Sequence, residues 1–595
     1  MAESPVNLEL GVIGNCQVAA LIDTNGRIVW SCLPRFDAEP AFTELVDQQD
    51  QGHFAIELCD AAESRQYYLR NTAILCTELT DKHGAVLRIT DFCPRFRQFG
   101  RHYRPVMIVR RLEVLRGNPV IRARLRPAMG WDGKRPDITR GSNHVRFLRR
   151  EQVLRVTTNA PLTHVLDEHP FMVDSTLTFI LGPDESVKES VDDMGRRFLE
   201  LTEQHWRDWT RSLAIPFEWQ TAVIRAAITL KLSAYEDTGA VIAAFTTSIP
   251  EAANSERNWD YRYCWLRDAY FTVHALNRLG ATRTMEGFLR YIINVVASST
   301  EQRLQPLYGI GGESRIEETT AAAMTGYRGM GPVRVGNDAY RQNQHDVYGT
   351  VILAATQAFF DERLERPGDK NLYHRLCPLG EAAAKLYDQP DAGIWEYRGR
   401  ARVHTYSAMM CWAACDRLKR IAEQLGLDAD ARRWQGQAER IHAHICTAAW
   451  NETERAFTET FGGDTMDASL LIMHDLGFLA ADDPRFVSTV EAIERHLRRG
   501  DHLFRYAAED DFGLPENAFN ICTFWFIDAL AAIGRQDEAR QLLENMLTHR
   551  TQLGLLSEDL DTRTGELWGN FPQTYSMVGL INAAVRLSRP WEEAL

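Results

Sequence analysis

Four short segments hold most of the residues whose types and spacing suit chemistry. The first is Asn258-Trp-Asp-Tyr-Arg-Tyr-Cys-Trp-Leu-Arg-Asp268, and the second is Gly326-Tyr-Arg-Gly-Met-Gly-Pro-Val-Arg-Val-Gly-Asn337. The third is Gly393-Ile-Trp-Glu-Tyr-Arg-Gly399. The fourth is Leu556-Ser-Glu-Asp-Leu-Asp561, followed by Trp568-Gly-Asn-Phe-Pro-Gln573. Together they set carboxyls beside Trp, Tyr and Arg in turns between helical stretches. That composition suits a carbohydrate, whose faces stack on aromatic rings and whose hydroxyls pair with Arg and carboxylates. Other chemistries have no motif here. The chain has no Gly-rich phosphate loop ending in Lys-Ser/Thr, no HExxH or metal-spaced Cys/His set, and no GxSxG elbow.

The turns need a scaffold, and the scaffold changes character along the chain. In 18–33, two apolar runs flank Asn25-Gly26, a hairpin signal. Runs at 53–59, 73–79, 85–93, 106–115, 120–127 and 177–182 alternate or carry β-branched residues. This pattern predicts an N-terminal β-sandwich over 1–190. Residues 192–213 are charged and amphipathic, and predict a helical linker over 191–215. From 216 to 595, apolar spacing of three and four recurs in segment after segment, 284–299 among them. That is one large α domain. A toroid of paired helices with its site in the loops at one end fits it, although periodicity by itself specifies helices and not a ring.

Composition bounds the partners. The 595 residues are 45% hydrophobic and 10% aromatic, enough for sizeable cores, and the net charge of −14 argues against nucleic acid or an anionic membrane. No stretch reaches the roughly 18 apolar residues of a membrane span. The opening MAESPVNLELGVIGN shows no basic-then-apolar leader. The 11 cysteines are scattered without CxxC spacing, and read as small buried hydrophobes, Cys411 and Cys415 included. A reduced, cytoplasmic setting is expected. No cofactor and no metal are expected, and self-association into a homo-oligomer is left open.

The four segments, in this order, resemble glycoside hydrolase family 15, the glucoamylase and trehalase family, in its bacterial and archaeal branch. The likeness runs from IGNCQVAALIDTNGRIVWSCLPRFD to WGNFPQTYS, nearly the whole chain. It implies a multidomain β + α chain: a β-sandwich followed by an (α/α)6 catalytic barrel over 216–595. It also implies inverting, exo-acting hydrolysis of a terminal α-linked glucose, releasing β-glucose from a small neutral saccharide.

The resemblance assigns roles by motif. Glu396 in GIWEYRG matches the general acid and Glu558 in LLSEDLD the general base. One must donate a proton to the leaving oxygen while the other activates water. Inversion places that water between base and sugar, so such carboxyls lie ~6.5–9.5 Å apart. Arg267 and Asp268 match a pair that grips the terminal sugar. Tyr261, Trp265 and Trp395 match aromatics of the same pocket, and Tyr327 and Arg334 a neighbouring subsite. One departure is visible: a Ser-His pair is expected after Phe-Pro-Gln, and Thr574-Tyr-Ser-Met577 stands there.

Each assignment has a plainer rival. Glu396 is equally a solvated or capping loop acid, and Glu558 a first-turn acid favoured by a helix dipole. Arg267–Asp268 is equally an ion pair at a helix start, and Tyr261 and Trp265 core aromatics. Asp559 and Asp561 either orient Glu558 or cap its turn. His345 and His404 read as structural. The turns Arg35-Phe-Asp37 and Arg95-Phe96 read as packing turns of the sandwich. Two rival functions remain: an inverting disaccharide phosphorylase of similar architecture, and a non-catalytic sugar-binding protein on the same scaffold.

Overall fold

The computed structural model describes residues 6–47, 49–298 and 303–594. The first five residues of the opening segment, and Ser299 at the end of the 284–299 run, lie outside them.

Two antiparallel sheets make the N-terminal layer. One runs in the order Leu10–Gly14, Ala19–Asp23, Ile28–Cys32, His53–Leu58, Val120–Arg126, Phe171–Met172, with Pro40–Phe42 paired to Ile28–Cys32. The other runs Asp137–Arg140, His144–Arg149, Gln152–Thr158, Leu177–Gly182, Ile108–Arg116, Val86–Phe92, Leu75–Asp81, Ala61–Tyr68. Their inner faces share a core that includes Phe54, Leu75, Ile89, Ile108 and Phe179. The expected hairpin is present: Gly26 has φ +78, and Asp23 Oδ1 accepts from the N–H groups of Asn25 and Arg27. A positive φ is why glycine stands there.

Several strands fall outside the runs read from the sequence, and two of them, both at sheet edges, carry too little alternation to be read. Asp137–Arg140 and Ala61–Tyr68 form the two edges of the larger sheet, and His144–Arg149 pairs with the first of them. An edge strand keeps its charges in water, which erases the apolar stripe.

The helix Val191–Arg211 follows. Ser190 caps it by accepting from Asp193 N, and Val191, Met194 and Phe198 bury against the larger sheet. Its far end turns Trp206 into the core of the helical layer.

From Gln220 to Leu587 the chain forms an (α/α)6 barrel. Helices Asp346–Phe360 and Asn520–Ala532 are buried nearly all round. Lys370–Leu386 and Asp428–Ala448 bury one stripe each. A helix apolar on every side belongs inside and an amphipathic one outside, so the sequence sorts inner from outer helices. Short β-ribbons close the turns at the site end, such as Cys264–Trp265 with Leu307–Tyr308. The sandwich is keyed to the barrel by Trp30, whose Nε1 donates to Phe245 O at 2.7 Å, and by Arg95, which pairs with Glu236 at 2.7 Å. Phe36 packs edge-on to Phe245, and Arg35 pairs with Asp37 and Glu313. Both turns therefore pack at the junction.

Candidate active site

The loops at one end of the barrel surround an open cavity. Five of them supply its wall.

The first loop delivers Tyr261 and Trp265 and then enters the helix Leu266–Arg278, whose first turn carries Arg267 and Asp268. Tyr261 and Trp265 lie edge to face, ring centroids 5.3 Å apart. Tyr261 Oη donates to Glu558 Oε1 at 2.6 Å, and Trp265 Nε1 donates to Glu396 Oε1 at 2.6 Å. Two carboxyls from distant loops are thus tied to one aromatic pair. Glu396 is therefore not a freely solvated loop acid, and Glu558 precedes the strand Asp559–Leu560 and not a helix.

Glu396 sits in a turn closed by the bridge between Asp391 and Arg402. Asp391 Oδ1 accepts from Gly393 N, and Glu396 itself has φ +61. A non-glycine residue held in this region costs of order 1–3 kcal/mol, and such strain clusters at functional sites. Gln344 Nε2 also donates to Glu396 Oε1 at 3.1 Å, and Arg267 Nη2 lies 3.6 Å away. All three of these neighbours are donors to the Glu396 oxygen.

Glu558 is pinned through its backbone. Its carbonyl accepts from Asn520 N at 2.9 Å, and Asn520 Nδ2 donates to Ser557 O. The next residues, Asp559–Leu560, form the middle of a three-stranded ribbon. The side chain is 1% exposed. Burial and the nearby Glu251 carboxyl push Glu558 up to about 8, against the Tyr261 hydrogen bond and Arg505. Its proton affinity is raised, which makes it a stronger base once ionised.

The cavity is also lined by Arg267, Asp268 and Tyr575. Burial, opposed by Arg267, pushes Asp268 up to about 6. Arg267 Nη1 reaches Gln344 Oε1 at 3.2 Å and Asp346 Oδ2 at 3.3 Å. Arg267 Nε and Tyr575 Oη are buried without a hydrogen-bond partner among the described residues. Orphaned buried donors cost about 1–3 kcal/mol each, and both of these side chains line the cavity.

Other sequence-named residues fall in different places. Trp395 lines the cavity and donates from Nε1 to Asp467 Oδ2 at 2.7 Å. Tyr327 does not line it: it is 1% exposed and packs on Trp568, because Gly326 and Gly329 turn it inward. Arg334 acts from behind the wall, paired with Glu318 and stacked on Trp259. Asp561 caps its turn by accepting from Arg563 N. His345 and His404 stand at helix starts behind the Glu396 turn. Met577 is buried in the last barrel helix, and its segment reaches the cavity through Gln573 and Tyr575 instead.

The rim went unread. Trp259 lies between Arg398 and Arg334, ring to guanidinium 4.1 and 5.0 Å, and both arginines pair with Glu318. Arg257 pairs with Asp510 through two 2.6 Å bonds. Asp511 Oδ2 accepts from the backbone N–H of Arg398 and Gly399, clasping two loops together. The loop Arg505–Phe519 repeats the acidic-plus-aromatic composition of the four segments, and that was the signal available for it.

Comparison with known proteins identifies the family. Residues 219–585, more than half of the chain, match the model of glycosyl hydrolases family 15, and residues 2–162 match a trehalase-like N-terminal domain. A trehalase of Thermoplasma acidophilum is 34% identical over 95% of this chain and 98% of its own length. A trehalase of Mycolicibacterium smegmatis is 32% identical over 99% of this chain and 92% of its own. A bacterial glucoamylase solved with acarbose has the same fold, with TM-score 0.71 and 15% identity over 98% of this chain and 95% of that one. The chain belongs to glycosyl hydrolases family 15 and is a glycoside hydrolase.

Proposed function

We propose that the protein hydrolyses α,α-trehalose with inversion, Glu396 acting as general acid and Glu558 as general base. The observation that carries the reading is the pair of carboxyls in one cavity, each hydrogen-bonded to a member of the Tyr261–Trp265 pair. The carboxyls accept from different rings whose centroids are 5.3 Å apart, which is consistent with room for the water that inversion requires. Arg267 and Asp268 hold the glucose at the cavity floor. Glu396 protonates the glycosidic oxygen, and Glu558 takes a proton from the water that attacks the anomeric carbon. The product is β-glucose.

Trehalose is favoured over longer glucans for two reasons. Relatives named trehalase match the chain over nearly its full length. The rim is also cross-linked across the mouth by Asp511 and by the arginines on Trp259, which suits a two-sugar substrate better than a chain passing outward. A carboxylate base in its motif argues against the phosphorylase reading, since phosphate needs no such base.

The test is incubation with trehalose, maltose, isomaltose and maltooligosaccharides, with proton NMR of the first product. Trehalose is expected to be cleaved at least about tenfold faster than maltose, with β-glucose appearing first. Maltooligosaccharide cleavage without trehalose cleavage overturns the substrate. First appearance of α-glucose alone overturns inversion.

The electrostatics set a pH dependence. The Tyr261 bond favours the ionised form of Glu558, and hydrogen bonds to a charged group contribute about 1.5–3 kcal/mol. Tyr261→Phe is therefore expected to lower kcat/KM roughly 10–100-fold and to move its acidic limb to higher pH. A downward or absent movement of the limb removes Tyr261 from this role.

A further inference from the structure

Every inverting turnover leaves Glu558 with one proton too many and Glu396 with one too few. The water's O–H bond breaks as its oxygen bonds carbon, and that proton goes to Glu558. The acid's proton leaves on the sugar. On the reading proposed above, Glu558 must then shed a proton from the inner end of a cavity whose mouth holds product.

The structure has a second way out. A second cavity adjoins the first, sharing Glu251, Arg257, Asp511 and Phe512 with it, and is lined also by Asn254, Ser255, Glu516, Asn517 and Asp559. Asn254 and Glu516 are exposed, so it reaches the surface. Glu251 lines both cavities; Glu558 lines the first and Asp559 the second. Successive side chains of an extended chain point to opposite sides, which is how neighbours in sequence come to face different cavities.

The two carboxyls nevertheless approach each other at one point. A Cβ placed on Gly569 would lie 2.8 Å from Glu558 Oε2 and 3.1 Å from Asp559 Oδ2. The two oxygens therefore flank the same glycine. Both are buried; Asp559 Oδ2 has no hydrogen-bond partner among the described residues, while the backbone N–H of Asn570 approaches the Glu558 carboxyl. Asp559 is 2% exposed. A buried carboxylate oxygen without a donor is costly unless it holds or receives a proton. Gly569, at φ +75, keeps the space between them clear of any side chain.

We propose that Asp559 is a positioning residue for the reaction: it receives the proton from Glu558 across the Gly569 gap, through water, and passes it to solvent by the second cavity. Asp559 first gives its own proton to water in the second cavity; the O–H bond of protonated Glu558 then breaks as one forms on Asp559, so no other reactant is required. The charged groups facing Asp559 are Glu251 and Glu558, which raise its proton affinity, and Arg505 and Arg257, which lower it. Burial adds to the first pair, so Asp559 holds a proton readily. A base with raised proton affinity releases its proton slowly unaided, and this is where a relay helps.

The test is Asp559→Asn beside Glu558→Gln. Asp559→Asn is expected to lower kcat about tenfold, short of the ~10²–10⁴ lost with a direct proton transfer. It is also expected to be restored severalfold by rising imidazole, a buffer small enough to accept the proton. Ser255→Trp fills the second cavity from its outer wall with every carboxyl in place. It should give the same buffer-dependent loss, and it decides the matter if Asp559→Asn does not fold. Wild-type kcat and pH profile, or a loss that imidazole leaves untouched in whichever variant folds, overturns the relay. If Glu558→Gln keeps full activity, the base assignment itself has failed, and that result is distinct.

Discussion

Glu558→Gln is expected to lower kcat on trehalose by about 10³-fold or more, within the range of a lost general base and the water it positions. The amide matches the carboxylate in size, so the Asn520 and Tyr261 contacts that fix the segment persist. The same substitution should stabilise the fold, and the sign follows from linkage. Glu558 binds its proton more tightly folded, at about 8, than the ordinary carboxyl value of 4.5. Between those values the folded state holds the extra proton. Its contribution to stability is therefore full below about 4.5 and is lost as pH rises through about 8. The amide carries no such dependence. The variant should match wild type in thermal midpoint near pH 4 and exceed it near pH 8. Calorimetry at the two pH values, beside steady-state rates, reads both effects. A variant that is inactive and less stable at pH 8 would mean that Glu558 contributes to packing, not to catalysis at a cost in stability.

How much of this was legible in the sequence depends on what each element needs. Inner barrel helices such as Asn520–Ala532 announce themselves because burial on all sides leaves no polar face. The strand Ala61–Tyr68 does not, because an edge position keeps Glu63, Ser64 and Arg65 in water. The two carboxyls illustrate the same contrast at the site. Acids beside Trp and Arg in turns were visible, but only the ordered family motifs singled out Glu396 and Glu558 from the other carboxyls. No local pattern says that Tyr261 reaches across 297 positions to Glu558. The Arg505–Phe519 loop stayed hidden because its partners, Arg257 and the backbone of Arg398, lie in other loops. Tyr327 shows the reverse error: an aromatic in the right segment, turned into the core by the glycines around it.

Glu396→Gln is expected to separate the acid from the base. On trehalose the leaving group is a sugar alkoxide that must be protonated, so the variant should lose about 10²–10⁴ in kcat. On α-glucosyl fluoride the leaving fluoride needs no proton, and the same variant should keep activity within about tenfold of wild type. Glu558→Gln should be impaired on both, because each needs an activated water. The geometry makes the comparison clean. The amide oxygen of the Glu396→Gln variant would still accept from Trp265 and Gln344, so the turn keeps its φ +61 conformation and Arg267 its place. What disappears is the proton alone. If Glu396→Gln were equally slow on both substrates, the residue would be holding the sugar or the water in place, and the acid would have to be sought elsewhere in the cavity. Asp268, raised to about 6 by burial, is the carboxyl to examine next.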